Sequence, residues 1–187
     1  MLRTVVFLFG ASLCVCEALY ATCTMMPGTS LQITGTVRFS QSEENENLLV
    51  MVQLSGLQPS AAGSGNQKYE LHVHEYGDYT SGCLSTGSYY DPLETHSETN
   101  KDEARHVGDY SNLEQTPDGR IVTTIRDPAA SLYGQYSIIG RAVVLSSVRG
   151  EQDNGGDAAT PANENEGPRL SCCIIGLSKT NFAQVPE

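Results

Sequence analysis

The chain has 187 residues, a length that suits one domain with a sizeable core. Its formal net charge is −11, from 11 Lys and Arg against 22 Asp and Glu. This balance argues against nucleic acids and anionic membrane surfaces as partners, because both repel an acidic protein. The absence of Trp and the presence of 18 Gly fit a β protein rich in turns.

The first 18 residues have the pattern of a secretory signal peptide. Arg3 gives a basic start, and the apolar run at 5–15 is too short to span a bilayer. Cys16-Glu17-Ala18 offers small residues around a cleavage point after Ala18. We therefore expect a secreted, extracellular product, with an uncleaved anchor as the alternative.

Four cysteines remain after the expected cleavage, namely Cys23, Cys83, Cys172 and Cys173. An even number of cysteines in an exported chain predicts two disulfides, and the spacing alone allows three connectivities.

Short apolar runs separated by turn residues predict strands, and no amphipathic helix or internal repeat is evident. The runs lie at 31–39, 48–57, 69–76, 120–125, 137–145 and 170–177. Residues 79–114 show neither strand nor helix period, and 149–168 are rich in Gly, Asn and acids, so two long loops are expected. The sequence predicts one all-β domain of seven or eight strands at 19–178, a Greek-key sandwich or flattened barrel, and a flexible tail at 179–187.

The histidines are concentrated in one part of the chain. All four lie between residues 72 and 106, and Asp109 follows the last by three residues. His72 and His74 are two apart in a predicted strand, so their side chains share one face and can point at one metal ion. The pattern indicates a metal site, and the alternative is a set of loop histidines on a polar surface.

Six motifs in order resemble the copper/zinc superoxide dismutase family. They are His72-Val-His-Glu-Tyr-Gly-Asp78, Gly82-Cys83, Gly87-Ser-Tyr-Tyr-Asp-Pro92, Arg105-His-Val-Gly-Asp109, Ile138-Ile-Gly-Arg141 and Gly167-Pro-Arg-Leu-Ser-Cys172. The resemblance covers roughly residues 21 to 178 and implies an eight-stranded Greek-key barrel with two long loops.

The resemblance also implies roles for single residues. His72 and His74 match two copper ligands, whereas Tyr89 stands in the place of the histidine that bridges copper and zinc, and Leu145 in that of the last copper histidine. Further matches are His96, His106 and Asp109 with the zinc ligands, Arg169 with the arginine that guides the anion, and Cys83 and Cys172 with the intrachain disulfide. Cys23 and Cys173 would then form a second bridge, because the first and last strands of this fold are neighbours; an intermolecular bridge or free thiols are the alternatives.

These departures predict a degenerate copper site. Only two of four copper imidazoles remain, and a phenol cannot bridge two metals through opposite ring nitrogens. The acids at 151–166 would also repel an anionic substrate. The zinc half keeps two nitrogens and one oxygen, with Tyr89, Asp91 or water as a fourth donor, so Zn²⁺ or another divalent ion is expected there. Weak Cu²⁺ binding is expected at His72 and His74.

The overall character resembles the secreted bivalve haemolymph members of the family, the pernin, cavortin and dominin group. This implies a plasma metal carrier, with a possible role in host defence, rather than a strong dismutase. The alternatives are a weakly active extracellular dismutase and a self-assembling protein whose acidic clusters bind calcium or microbial surfaces. A homodimer or larger homo-oligomer is implied by Tyr76, Gly77, Ile139, Gly140 and Leu177, which match the family's dimer contacts in type.

Overall fold

The structure is a computed structural model that describes residues 17–26, 32–58, 67–92, 107–148 and 167–179. The apolar part of the predicted signal peptide, both predicted zinc histidines (His96 and His106), most of the second long loop and the end of the predicted tail lie outside the described residues. In the part that is described, no helix is long and apolar enough to cross a membrane.

The described residues form short strands and one turn of 3₁₀-helix at Leu84–Thr86. The strands are β1 (Leu19–Thr24), β2 (Thr34–Gln41), β3 (Leu48–Ser55), β4 (Lys68–His74), β5 (Thr80–Cys83), β6 (Asp109–Glu114), β7 (Arg120–Asp127), β8 (Ala142–Ser147), β9 (Arg169–Ile174) and β10 (Gly176–Ser178).

Two antiparallel sheets contain nine of these described strands. One has the order β10-β1-β2-β3-β7 and the other the order β6-β4-β8-β9. The chain passes from the first sheet to the second after β3, returns at β7 and crosses again to β8, as in a Greek-key sandwich. The predicted all-β, two-layer fold is therefore confirmed.

The core lies between the sheets and follows from alternation along the strands. In β3, Leu48, Val50, Val52 and Leu54 are at most 2% exposed, while the residues between them are more exposed. Successive strand residues point to opposite faces, so this pattern places one face of β3 in the core. Burying an aliphatic side chain of this size contributes about 1.5–3 kcal/mol.

Three details of the predicted strand pattern are wrong. The loop predicted at 79–114 contains β5 and β6, and β6 runs beside β4 with a register shift between Tyr69 and Leu71. At this irregularity Asn112 has a φ of 63°, and a bulge with such a residue hides the period of two. The strand predicted at 137–145 starts only at Ala142, and the one at 170–177 is divided between the two sheets.

Two disulfides join the last strands to the rest of the fold. Cys23 pairs with Cys173 across the two sheets, and Cys83 pairs with Cys172. The neighbouring cysteines face opposite ways on β9, since Cys173 belongs to the core cluster and Cys172 does not. β1 also pairs with β10, which makes the first and last strands neighbours as expected.

Candidate metal site

The histidine pair lies near the end of β4, on the face turned away from the core. His72 and His74 are buried at 6% and 0% exposure, while Leu71 and Val73 belong to the core cluster. The alternation of side chains along the strand therefore places both imidazoles on one side of the four-stranded sheet.

One ring nitrogen of each imidazole lies close to an oxygen acceptor. The Nε2 atom of His72 lies 3.2 Å from Oδ1 of Asp109, its register partner on β6. The Nδ1 atom of His74 lies 3.0 Å from the carbonyl oxygen of Gly87. In neutral imidazoles, an N–H on the nitrogen beside each acceptor would leave the lone pairs on Nδ1 of His72 and on Nε2 of His74. Nδ1 of His72 is buried and receives no hydrogen bond from any described residue.

The segment after the 3₁₀ turn places Tyr89 against this pair. It runs antiparallel to the end of β4, through hydrogen bonds from Tyr76 N to Thr86 O, Glu75 N to Ser88 O and Tyr90 N to Val73 O. The ring centroid of Tyr89 lies 4.3 Å from that of His72 and 5.2 Å from that of His74. Tyr89 therefore packs on both imidazoles.

Leu145, expected in the place of the last copper histidine, does not lie on the face of the histidine pair. Leu145 pairs with Leu71, is fully buried and belongs to the core cluster, so its side chain points away from the histidines. Ser146 pairs with Glu70, which shares the face of His72 and His74. The expectation for Leu145 was therefore wrong, because its side chain lies on the core face, whereas its neighbour Ser146 lies on the histidine face.

Arg169 is bonded to the turn that carries the Gly87 carbonyl. Its Nη1 donates to Cys83 O at 2.9 Å and to Thr86 Oγ1 at 3.1 Å, and its Nη2 donates to Gly87 O at 3.0 Å. Gly87 O thus accepts from Arg169 and from His74. The Cys83–Cys172 disulfide joins the same turn to β9, and the guanidinium is fixed beside the histidine pair.

Of His96, His106 and Asp109, the three expected zinc ligands, the structure describes Asp109. Its Oδ1 accepts a hydrogen bond from the backbone N–H of Ser111 at 2.9 Å, in addition to the contact with His72. Within the described residues, no three His, Cys, Asp or Glu side chains form a group that could hold a metal ion.

Two ionisable groups near the end of β4 have shifted pKa values. Burial raises the pKa of Tyr79 to about 12, and its hydroxyl makes no hydrogen bond to the described residues. The backbone N–H and the hydroxyl of Thr80 hold the pKa of Asp78 below its usual value. Asp78 therefore stays charged and anchors the turn after the strand.

Sequence reasoning missed Ser146 and the role of the Gly87 carbonyl. Ser146 follows from counting alternate residues once β8 is registered against β4, but a single sequence does not give that register. A backbone carbonyl has no signal in the sequence beyond the turn that contains it.

The fold and site define a two-sheet β protein with a buried histidine pair on one sheet. Residues 33–175 match the family described as copper/zinc superoxide dismutase (SODC). The chain is 35% identical over 147 residues to superoxide dismutase [Cu-Zn] 5 of Dictyostelium discoideum, covering 79% of this chain and 92% of that protein. The chain belongs to the copper/zinc superoxide dismutase family.

Extracellular proteins are among its relatives. The extracellular superoxide dismutase [Cu-Zn] of Oryctolagus cuniculus is 37% identical over 166 residues, 86% of this chain and 64% of that protein. That of Drosophila melanogaster is 36% identical over 146 residues, 78% and 77% of the two chains. These relatives and the two disulfides are typical of a secreted protein.

The copper that this family implies fits the site only in part. His72 and His74 present two lone-pair nitrogens, and the buried Nδ1 of His72 suits a metal ligand. Ser146 lies on the histidine face and Tyr89 packs on both imidazoles, and these two side chains offer oxygen in place of imidazole nitrogen. The described residues therefore supply half of an imidazole copper site.

Proposed function

We propose that this protein is a secreted, dismutase-like metal-binding plasma protein with little or no superoxide dismutase activity. The observation that supports this most is the pairing of β4 with β8, which puts Ser146 on the face of His72 and His74. Redox copper in this family would supply one-electron chemistry to superoxide. The residues of this site hold and orient two imidazoles. The phenol ring of Tyr89 has no nitrogen with which to bridge two metals.

The zinc half is the proposed site of a stable divalent ion. Its proposed ligands are His96, His106 and Asp109, two nitrogens and one oxygen, which suit a tetrahedral Zn²⁺ site. Tyr89, Asp91 or water would be the fourth donor. The 3.2 Å contact of Asp109 with His72 would link this half to the histidine pair.

Metal analysis and activity together test this proposal. Native protein purified without chelators should contain about one zinc-like ion per chain, and copper loading should give little superoxide removal. A copper/zinc superoxide dismutase of known activity, loaded in parallel, is the control. Stoichiometric copper with full activity would contradict the proposal and favour the alternative of an extracellular dismutase, which the identity to enzymes of that name supports.

A homodimer or larger homo-oligomer is part of the proposal. Tyr76, Ile174 and Leu177 are 58%, 37% and 65% exposed, and a Cβ on Gly77 would lie 3.2 Å from the Ile174 side chain. Exposed apolar side chains such as these are found at protein–protein interfaces. Sedimentation of the wild type and of a Leu177→Glu variant tests it, since only the variant should be monomeric.

Carriage of divalent metal in haemolymph, with a role in host defence, is the physiological setting that we propose. It rests on the net charge of −11, the expected secretion and the resemblance to the bivalve haemolymph members. Calcium-driven assembly is the remaining alternative, and light scattering during a calcium titration distinguishes it.

A further inference from the structure

We propose that the histidine pair of β4 is a site for the cuprous ion and selects Cu⁺ over Cu²⁺. This inference rests on the proposed function, because it names the valence of the copper that the degenerate half-site takes. The observation behind it is that two lone-pair nitrogens remain where four imidazole positions are expected.

Coordination number is the first argument. Cu²⁺ takes a square-planar or tetragonal set of nitrogen and oxygen donors, so it needs about four ligands. Cu⁺ is a d¹⁰ ion without that geometric preference and is satisfied by two or three donors. The site offers Nδ1 of His72 and Nε2 of His74, both on one strand face and both packed on the Tyr89 ring. The donor number therefore suits Cu⁺.

Burial and charge favour the same valence. His72 and His74 are at most 6% exposed, and the buried Val144 pairs with His72 from β8. The cost of moving an ion from water into such surroundings rises steeply with its charge, so a monovalent ion is less costly to bury. Asp109 supplies one negative charge at 3.2 Å from His72, and the Arg169 guanidinium beside the pair supplies one positive charge, so these two groups together leave the two charges of a divalent ion uncompensated.

The two oxygen acceptors beside the imidazoles favour the tautomers that copper binding requires. Asp109 Oδ1 and Gly87 O lie 3.2 and 3.0 Å from one ring nitrogen of His72 and His74, and they favour the neutral tautomers whose other nitrogen can bind the ion. The four cysteines of the described residues form two disulfides, so these cysteines provide no thiolate to compete for Cu⁺.

The test measures both affinities on the intact mature protein. Cu⁺ affinity is measured anaerobically by competition with bicinchoninate, with ascorbate as a reductant that leaves disulfides intact. Cu²⁺ affinity is measured by competition with glycine. We expect tighter Cu⁺ binding, and we expect the double variant Tyr89→His, Ser146→His to lower the Cu⁺/Cu²⁺ affinity ratio by about a hundredfold, which is about 120 mV for one electron.

His72→Gln should lose at least about tenfold in Cu⁺ affinity, or about 1.4 kcal/mol. Tyr136→Phe, which alters an exposed side chain outside both metal sites, is the control and should keep that affinity. X-ray absorption of the wild-type copper complex, which needs no variant to fold, should show Cu⁺ with two or three nitrogen or oxygen neighbours. Equal or tighter Cu²⁺ binding, four-coordinate Cu²⁺ that resists ascorbate, or an unchanged Cu⁺ affinity in His72→Gln would overturn the inference. None of these results would change the zinc content or the low activity by which the proposed function is tested. The two proposals can therefore be rejected independently.

Discussion

The two faces of the β4–β8 pair have different compositions on the same backbone. The inner face carries Leu71, Val73, Val143 and Leu145, all in the core cluster. The outer face carries His72, His74 and Ser146, which are also buried but lie outside that cluster. Packing and metal chemistry are therefore separated by a single step along the strand.

This comparison shows that the two faces can be substituted with different consequences. A substitution on the inner face alters core volume, whereas one on the outer face alters a donor and leaves the core packed. A substitution at Ser146 is of the second kind. We therefore expect a substitution on the outer face to change activity, and a substitution of the neighbouring residue on the inner face to change stability.

The largest expected effect is the restoration of dismutase activity from the outer face. The double change Tyr89→His, Ser146→His returns two imidazoles to the histidine pair, so we expect superoxide removal by the copper- and zinc-loaded protein to rise by orders of magnitude. The assay is superoxide disappearance followed by pulse radiolysis.

The matched control places the second imidazole one residue earlier. Tyr89→His, Leu145→His has the same composition, but residue 145 pairs with Leu71 and points into the core. It should gain no such activity and should be destabilised by a buried polar ring. Equal activity of the two variants would mean that the separation of the faces does not govern the copper site.

The second effect is on stability and comes from the inner face. Leu145→Ala should lower the free energy of unfolding by about 2–5 kcal/mol, because it leaves a cavity in the core. Ser146→Ala on the outer face removes one hydroxyl, so its loss should stay near 1 kcal/mol. Urea unfolding followed by circular dichroism measures both. If Ser146→Ala lowered the free energy of unfolding more than Leu145→Ala, the outer face would also contribute to the stability of the fold.

Much of this architecture could be predicted from the sequence, because the period of two in β2, β3 and β4 is clear. The register could not, since β8 and β6 are located by the strands beside them and not by their own patterns. For this reason His72 and His74 could be placed on one face, whereas the partner on β8 was taken as Leu145 in place of Ser146. Asp109 was named from its motif, but its contact with His72 depends on a strand hidden by the bulge.

The third prediction uses the neighbouring cysteines of β9 to extend the comparison. Removing Cys23–Cys173 with alanine, on the core side, should cost about 2–5 kcal/mol of stability and leave Cu⁺ affinity unchanged. Removing Cys83–Cys172 releases the turn whose Gly87 carbonyl holds His74, so it should lower Cu⁺ affinity as well. Thermal unfolding and copper competition on both variants measure this. Unchanged copper affinity in both variants would mean that this turn does not influence copper binding.

The smallest expected effect concerns Tyr79, which follows β4 and lies on neither face. Its burial raises its pKa to about 12, above the value of about 10 in an unfolded chain. The folded state then binds the phenolic proton more tightly, so this part of the stability is present below pH 10 and is lost as the pH rises towards 12. Tyr79→Phe should weaken that alkaline loss, and ultraviolet titration of phenolate should lose its latest component. Tyr136→Phe, an exposed tyrosine on the 128–141 connection, is the control and should leave that component in place. A Tyr79→Phe protein that keeps the late component would assign it to Tyr69, whose pKa burial also raises.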